Sequence, residues 1–230
     1  MPSAPLVAAD EDELPRIAAA WLAEEVKQAV ARGGRCALAL SGGSTPRPAY
    51  ERLAAEPGMP WDVVEVYFGD ERAVPPTDPA SNYRMAREAL LDRVPIPAAR
   101  VHRMEADDPD LDAAAARYAA LLPERLDVLV LGMGQDGHTA SLFPGSPPVH
   151  EKERKVVPAG APVPPVHRLT ITPPVIAAAR RVAVLTAGMA KAPVVARVLR
   201  GPWRPEVLPA QLAREGTWIL DRAAASALPS

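Results

Sequence analysis

The chain is short of cysteine, of aromatic residues, of long apolar runs and of any surplus of charge, and each shortage closes a class of function. Cys36 is the only cysteine in 230 residues. No intrachain disulfide can form, and a cytoplasmic compartment is expected. Cys36 sits in the apolar run Cys36-Ala37-Leu38-Ala39-Leu40 and reads as a core residue, not a nucleophile. Lysine and arginine number 26 against 28 aspartate and glutamate, a formal charge of −2. A general nucleic-acid binder carries a basic surplus, so that partner is excluded. A small anionic ligand needs only a few local cations and stays open. No stretch approaches the roughly 20 apolar residues of a membrane span. The acidic run Asp10-Glu11-Asp12-Glu13 stands where an export signal needs a positive start and an apolar stretch. Internal repeats and Gly/Ser linkers are missing too, so one α/β domain over residues 1–230 is expected.

Hydrophobic periodicity and turn residues then mark the elements. Leu14, Ile17, Trp21, Leu22, Val26 and Val30 recur at helical spacing, and Gly33-Gly34 stops the helix. Residues 36–40, 63–68, 127–131, 166–172 and 181–186 read as short buried strands, with another near 217–220. Helices are expected from Pro46 to about 55, over 81–92, 110–122 and 190–200, and briefly after Pro173-Pro174. The segment 69–79 reads as a loop. The stretch 144–165, rich in proline and glycine, reads as a long irregular connection. Strands alternating with helices predict a doubly wound, mostly parallel sheet with helices on both faces, a Rossmann-like α/β fold. Ligands bind such sheets at the carboxyl ends of the strands, and each motif below is expected at one.

The first motif is Ser41-Gly42-Gly43-Ser44-Thr45-Pro46, between a strand and a helix. Its glycines let backbone N–H groups approach an anion, and the helix dipole favours negative charge there. It lacks the Gly-Lys-Ser/Thr of a nucleotide P-loop and the Gly-x-Gly-x-x-Gly of a dinucleotide fold. A plain turn with Ser44 or Thr45 as N-cap satisfies the same residues. The second motif, Gly69-Asp70-Glu71-Arg72, sets two carboxylates and a bidentate cation at a strand end. Its alternative is a solvated ion-pair cluster. The third, Gly132-Met133-Gly134-Gln135-Asp136-Gly137-His138, puts a histidine after a glycine-rich turn, where an imidazole suits general-base work near neutrality. His102, His150 and His167 lack such a context and are read as structural or surface residues. Arg168 and Lys191 add two cations at later positions. Lys191 near a helix start opposes the dipole, which points to an anion between them. No His/Cys/Asp/Glu spacing resembles a zinc site, and without Gly-x-Ser-x-Gly neither Ser41 nor Ser44 reads as an acyl nucleophile. Direct attack by water is what remains.

Together these segments resemble the 6-phosphogluconolactonase family, in a superfamily shared with glucosamine-6-phosphate deaminases. The resemblance runs from about residue 14 to 225. It is carried by Ser41 to Pro46, Gly69 to Arg72 with Val74-Pro75 and Ser81-Asn82-Tyr83, and Gly134 to His138 with Thr139-Ala140-Ser141-Leu142-Phe143-Pro144-Gly145. Arg168-Leu169-Thr170, Gly188 to Lys191 and Trp218 to Asp221 add to it. It implies cofactor-free, metal-free hydrolysis of 6-phospho-D-glucono-1,5-lactone in the oxidative pentose phosphate pathway. By position it makes His138 the general base, with Asp70 and Asp136 shaping the pocket or orienting His138 and water. Ser41, Gly42, Gly43, Ser44, Thr45, Arg72, Arg168 and Lys191 would hold the phosphate. The deaminase branch carries a glutamate near Phe143 and Asp-Glu-Tyr in place of Asp70-Glu71-Arg72, so both differences favour the lactonase. The alternatives are a deaminase or isomerase on the same scaffold and a non-catalytic sugar-phosphate sensor. The expected partner is a small sugar-phosphate lactone, with no nucleic acid and no membrane, in a monomer or weak homo-oligomer.

Overall fold

The computed structural model describes residues 4–10 and 12–229. Glu11 of the acidic run lies outside them. In chain order the elements are β1 (Leu6–Ala8), α1 (Glu13–Gly33), β2 (Cys36–Leu40), α2 (Pro46–Ala54), β3 (Val64–Phe68), β4 (Asp70–Arg72), α3 (Asn82–Ala89), α4 (Leu111–Leu121), β5 (Val128–Gly132), β6 (Val156–Gly160), β7 (His167–Ile171), α5 (Pro173–Ala178), β8 (Arg181–Thr186), α6 (Ala192–Arg200), β9 (Thr217–Asp221) and α7 (Arg222–Ala225).

Local chemistry sets the helix ends. Gly34 closes α1 at φ 71°, donating its N–H to the Val30 carbonyl. A left-handed residue there is what glycine does at least cost. Ser81 caps α3 by accepting the Arg84 N–H, and Asp110 caps α4 by accepting that of Ala113.

Six strands form one parallel sheet in the order β1-β9-β8-β5-β2-β3. All five residues of β2 are buried, Leu38 and Leu40 completely. Consecutive buried residues point to opposite faces, so both faces are covered, as the alternating pattern predicts. Burying each leucine contributes about 1.5–3 kcal/mol. Cys36 is fully buried in this sheet, and burial pushes its thiol up to about 12. From β2 the chain moves outward to β3, then returns to place β5 on the other side of β2. The crevice between β2 and β5 is therefore the topological switch point, where open α/β sheets bind ligands.

Two expectations need correction. The segment 69–79 is not all loop, because Asp70–Arg72 forms β4; the stretch 144–165 is not irregular throughout, because Val156–Gly160 forms β6. With β7 they make a separate antiparallel sheet in the order β4-β7-β6. Pro158 cannot donate to a ladder, and it is tolerated because β6 is an edge strand. Arg168 is thus the second residue of an antiparallel strand, not a residue at a parallel strand's carboxyl end. No helix is long and apolar enough to cross a membrane among the described residues.

Candidate active site

A cleft of about 340 Å³ opens above the carboxyl ends of β2 and β5. Its walls include Ser41 to Thr45, Asp70, Arg72, His138, Arg168 and Lys191. Of the residues expected at the site, only Asp136 lies outside the lining; it sits behind the histidine.

The wall after β2 is a row of free donors. Ser41 is fixed by Tyr50, whose buried hydroxyl accepts the Ser41 N–H at 2.9 Å and donates to its carbonyl at 3.0 Å. Beyond it, the N–H groups of Gly42, Gly43, Ser44 and Thr45 have no acceptor among the described residues. Pro46 opens α2, and Thr45 in the N-cap position makes no side-chain cap. The turn therefore does not spend its hydroxyls on capping, and these residues, with their N–H groups free, line the cleft at a helix start. Gly43 holds φ 108°, closed to most side chains. Gly42 lies against the carboxamide of Asn82, which a β-carbon would overlap.

The opposite wall is the antiparallel sheet. Asp70 and Glu71 are 6% and 3% exposed, so they are not a solvated ion-pair cluster. Glu71 accepts four hydrogen bonds, from the N–H groups of Arg72, Asn82 and Tyr83 and from the Ser81 hydroxyl. Burial pushes its carboxyl above the ordinary range, and those donors offset part of the rise. Its work is to hold the start of α3 against β4. Asp70 accepts from Asn82 Nδ2 at 3.0 Å and from the Ser141 hydroxyl at 2.6 Å. Arg72 and Arg168 are directly opposite each other in the β4–β7 ladder. Like charges in that relation repel. Arg168 has one carboxylate nearby, Asp70 at 4.0 Å, and burial lowers its pKa, with the Asp70 charge opposing and the Arg72 charge adding to the fall. Arg72 donates Nη1 to the Ala80 carbonyl and leaves Nε buried without a partner among the described residues. Two guanidiniums held side by side with spare donors are arranged for an anion between them.

The third wall carries His138. His138 follows β5, and its Nδ1 lies 2.6 Å from Asp136 Oδ1. A carboxylate only accepts, so the neutral ring keeps its proton on Nδ1 and offers a lone pair at Nε2. Nε2 has no partner among the described residues. Phe143 packs on the ring with centroids 4.6 Å apart. Gly134 lacks the β-carbon that would strike the imidazole. Lys191 reaches over from the turn before α6 and donates to the Met133 carbonyl at 2.7 Å. Burial lowers its pKa, and Asp136 works against that. The family model described as Glucosamine-6-phosphate isomerases/6-phosphogluconolactonase matches residues 9–220. The chain belongs to this family. It is 41% identical to a 6-phosphogluconolactonase of Streptomyces coelicolor over 96% of this chain and 92% of that one. It is 40% identical to one of Nostoc over 87% and 88%. A solved 6-phosphogluconolactonase of Trypanosoma cruzi superposes with a TM-score of 0.87 at 32% identity, covering 100% and 99% of the two chains.

This member of the isomerase/lactonase family also uses residues to which sequence reasoning gave no role. Asn82, 2% exposed, lines the cleft and ties Asp70 to α3. Ser81-Asn82-Tyr83 helped carry the family resemblance, but nothing marked the asparagine as facing a cleft. Thr186, at the end of β8, lines the cleft with a buried hydroxyl that has no partner among the described residues. His102 pairs with Glu65 at 2.6 Å and does not line the cleft.

Proposed function

We infer that the protein hydrolyses 6-phospho-D-glucono-1,5-lactone to 6-phosphogluconate, the ring-opening step of the oxidative pentose phosphate pathway. One observation carries the mechanism: an unpartnered imidazole nitrogen and an anion cradle of four N–H groups and two facing arginines share one cleft. In this reading Ser41 to Thr45, Arg72, Arg168 and Lys191 hold the phosphate. Water lies between His138 Nε2 and the lactone carbonyl. His138 takes a proton from the water as its oxygen attacks C1. The tetrahedral adduct then expels the ring oxygen, which recovers that proton from the imidazolium. Asp136 keeps the ring in the required tautomer and stabilises its charged form. Asp70 shapes the wall, since both of its oxygens are already engaged. Phe143, not a carboxylate, packs on the base. Lactone hydrolysis needs one base and water, whereas amino-sugar deamination needs a further acid. The reading assigns no cofactor. It places the activity in one domain, acting in the cytoplasm as a monomer or weak homo-oligomer.

His138→Ala is the direct test. General-base catalysis contributes about 10²–10⁴-fold, so kcat for the lactone is expected to fall by that factor. Affinity for 6-phosphogluconate should persist. The rate is read after subtracting spontaneous hydrolysis, and a variant as fast as wild type rejects the mechanism.

A further inference from the structure

The base and the paired arginines belong to different sheets, and the distance between them must be set by something. His138 rides on the loop after β5 of the parallel sheet; Arg72 and Arg168 lie on β4 and β7 of the antiparallel one. Ser141, three residues beyond His138, is fully buried. Its hydroxyl donates to Asp70 Oδ2 at 2.6 Å, and its N–H donates to Thr170 Oγ1 at 3.1 Å. Asp70 and Thr170 are themselves opposite each other in the β4–β7 ladder. A single residue of the histidine loop thus grips both halves of one rung of the other sheet. Two residues along, on the same face of the ladder, is the rung formed by Arg72 and Arg168. Ala140, just before Ser141, holds φ 47°. That left-handed conformation is unfavourable for a non-glycine residue, and flanking bonds have to maintain it. Those bonds are the two from Ser141 and the one from Thr139 Oγ1 to the Gly132 carbonyl at 2.8 Å.

We propose that Ser141 is a positioning residue for the reaction: it fixes the span between His138 and the Arg72–Arg168 rung, and so sets the carbonyl-to-phosphate distance at which a lactone is attacked. The proposal rests on the reading of His138 as base and of the arginines as phosphate ligands. It makes Ser141 matter for substrates that engage both ends of the cleft, and much less for one that engages only the base.

The test compares kcat/KM for 6-phospho-D-glucono-1,5-lactone and for unphosphorylated D-glucono-1,5-lactone in Ser141→Ala and in Thr170→Val. A misplacement of about 1 Å costs on the order of 10²-fold, so a loss of that size is expected on the phosphorylated lactone. On the unphosphorylated one the change should stay within about 3-fold, because no second anchor fixes that substrate. The ratio of the two thereby collapses. Equal losses on both substrates would make Ser141 a purely structural residue and overturn the proposal. So would an unchanged ratio, or failure of both variants to fold. His138→Ala serves as the reference: if it is fully active, the underlying reading fails first. If it is inactive while Ser141→Ala keeps the wild-type ratio, only the positioning role fails.

Discussion

Replacing Gly134 by alanine should disable the base without disturbing the fold. Gly134 does not use a positive φ, so alanine fits its backbone. The difficulty is in space alone. An added β-carbon would overlap Nδ1 and Cε1 of His138 and lie 2.5 Å from Asp136 Oδ1. The backbone there is pinned by the Gly134 N–H to the His138 carbonyl at 2.9 Å, so the imidazole is the part that yields. Its side chain is 32% exposed and can swing outward without opening the core. Swinging breaks the bond to Asp136 and removes Nε2 from the cleft. Loss of an oriented base is worth about 10²-fold or more, which is about 2.7 kcal/mol of barrier.

The assay is kcat/KM for the phosphorylated lactone, with thermal unfolding and 6-phosphogluconate affinity as controls. Activity should drop by about 10²-fold, while Tm and product affinity hold near wild-type values. In a His138→Ala background the same substitution should cost nothing further, since the two changes act on one group. A Gly134→Ala enzyme with wild-type kcat/KM, or a full additional loss in the double variant, would refute the steric argument.

Two further expectations concern the anion cradle. Tyr50→Phe leaves the buried N–H and carbonyl of Ser41 without their partner. It should lower unfolding free energy by about 1–3 kcal/mol, and denaturant titration reads it; a loss too small to measure would show that Tyr50 does not pin the loop. Lys191 has a lowered pKa, so its ammonium should be lost as pH rises, before the ordinary lysine range is reached. Affinity for 6-phosphogluconate, measured by calorimetry between pH 7 and 10, should therefore fall toward the alkaline end and stay flatter in Lys191→Arg. A wild-type profile flat to pH 10 removes Lys191 from the phosphate site.

Much of this was legible before any coordinates because the parallel sheet announces itself. β2 and β5 are runs of buried apolar residues, β3 and β8 are mostly so, and Gly, Ser or Thr stands where each of the four ends. Ser41 to Thr45, Arg72, His138, Arg168 and Lys191, all in the cleft lining, could be singled out from residue type and turn chemistry, while their expected roles came from the family resemblance. The antiparallel sheet was hidden for physical reasons. β4 has three residues, too few to show a period of two, and all three are charged: Asp70 and Arg72 line the cleft, while Glu71 holds the start of α3. β6 carries Pro158 and ends in Gly160, residues that argue against a strand unless it lies at an edge.

Missing that sheet changed what could be concluded about the charges. Read locally, Asp70-Glu71-Arg72 was two carboxylates and a bidentate cation at a strand end, with a solvated ion-pair cluster as its alternative, and Arg168 a cation at another strand's end. Only the ladder shows that Arg72 faces Arg168 and that Asp70 faces Thr170. The first pairing sets the two cations on one rung, on one face of the ladder. The second places Asp70, expected to shape the pocket or orient His138 and water, where it accepts the histidine loop through Ser141. Residue types report which chemistry is present. The spacing between a base and an anion cradle is a property of how two sheets are joined, and here the join is made by buried hydrogen bonds between residues 71 and 29 positions apart in the chain. Local pattern carries no trace of such bonds, so the parts of the site were readable and its dimensions were not.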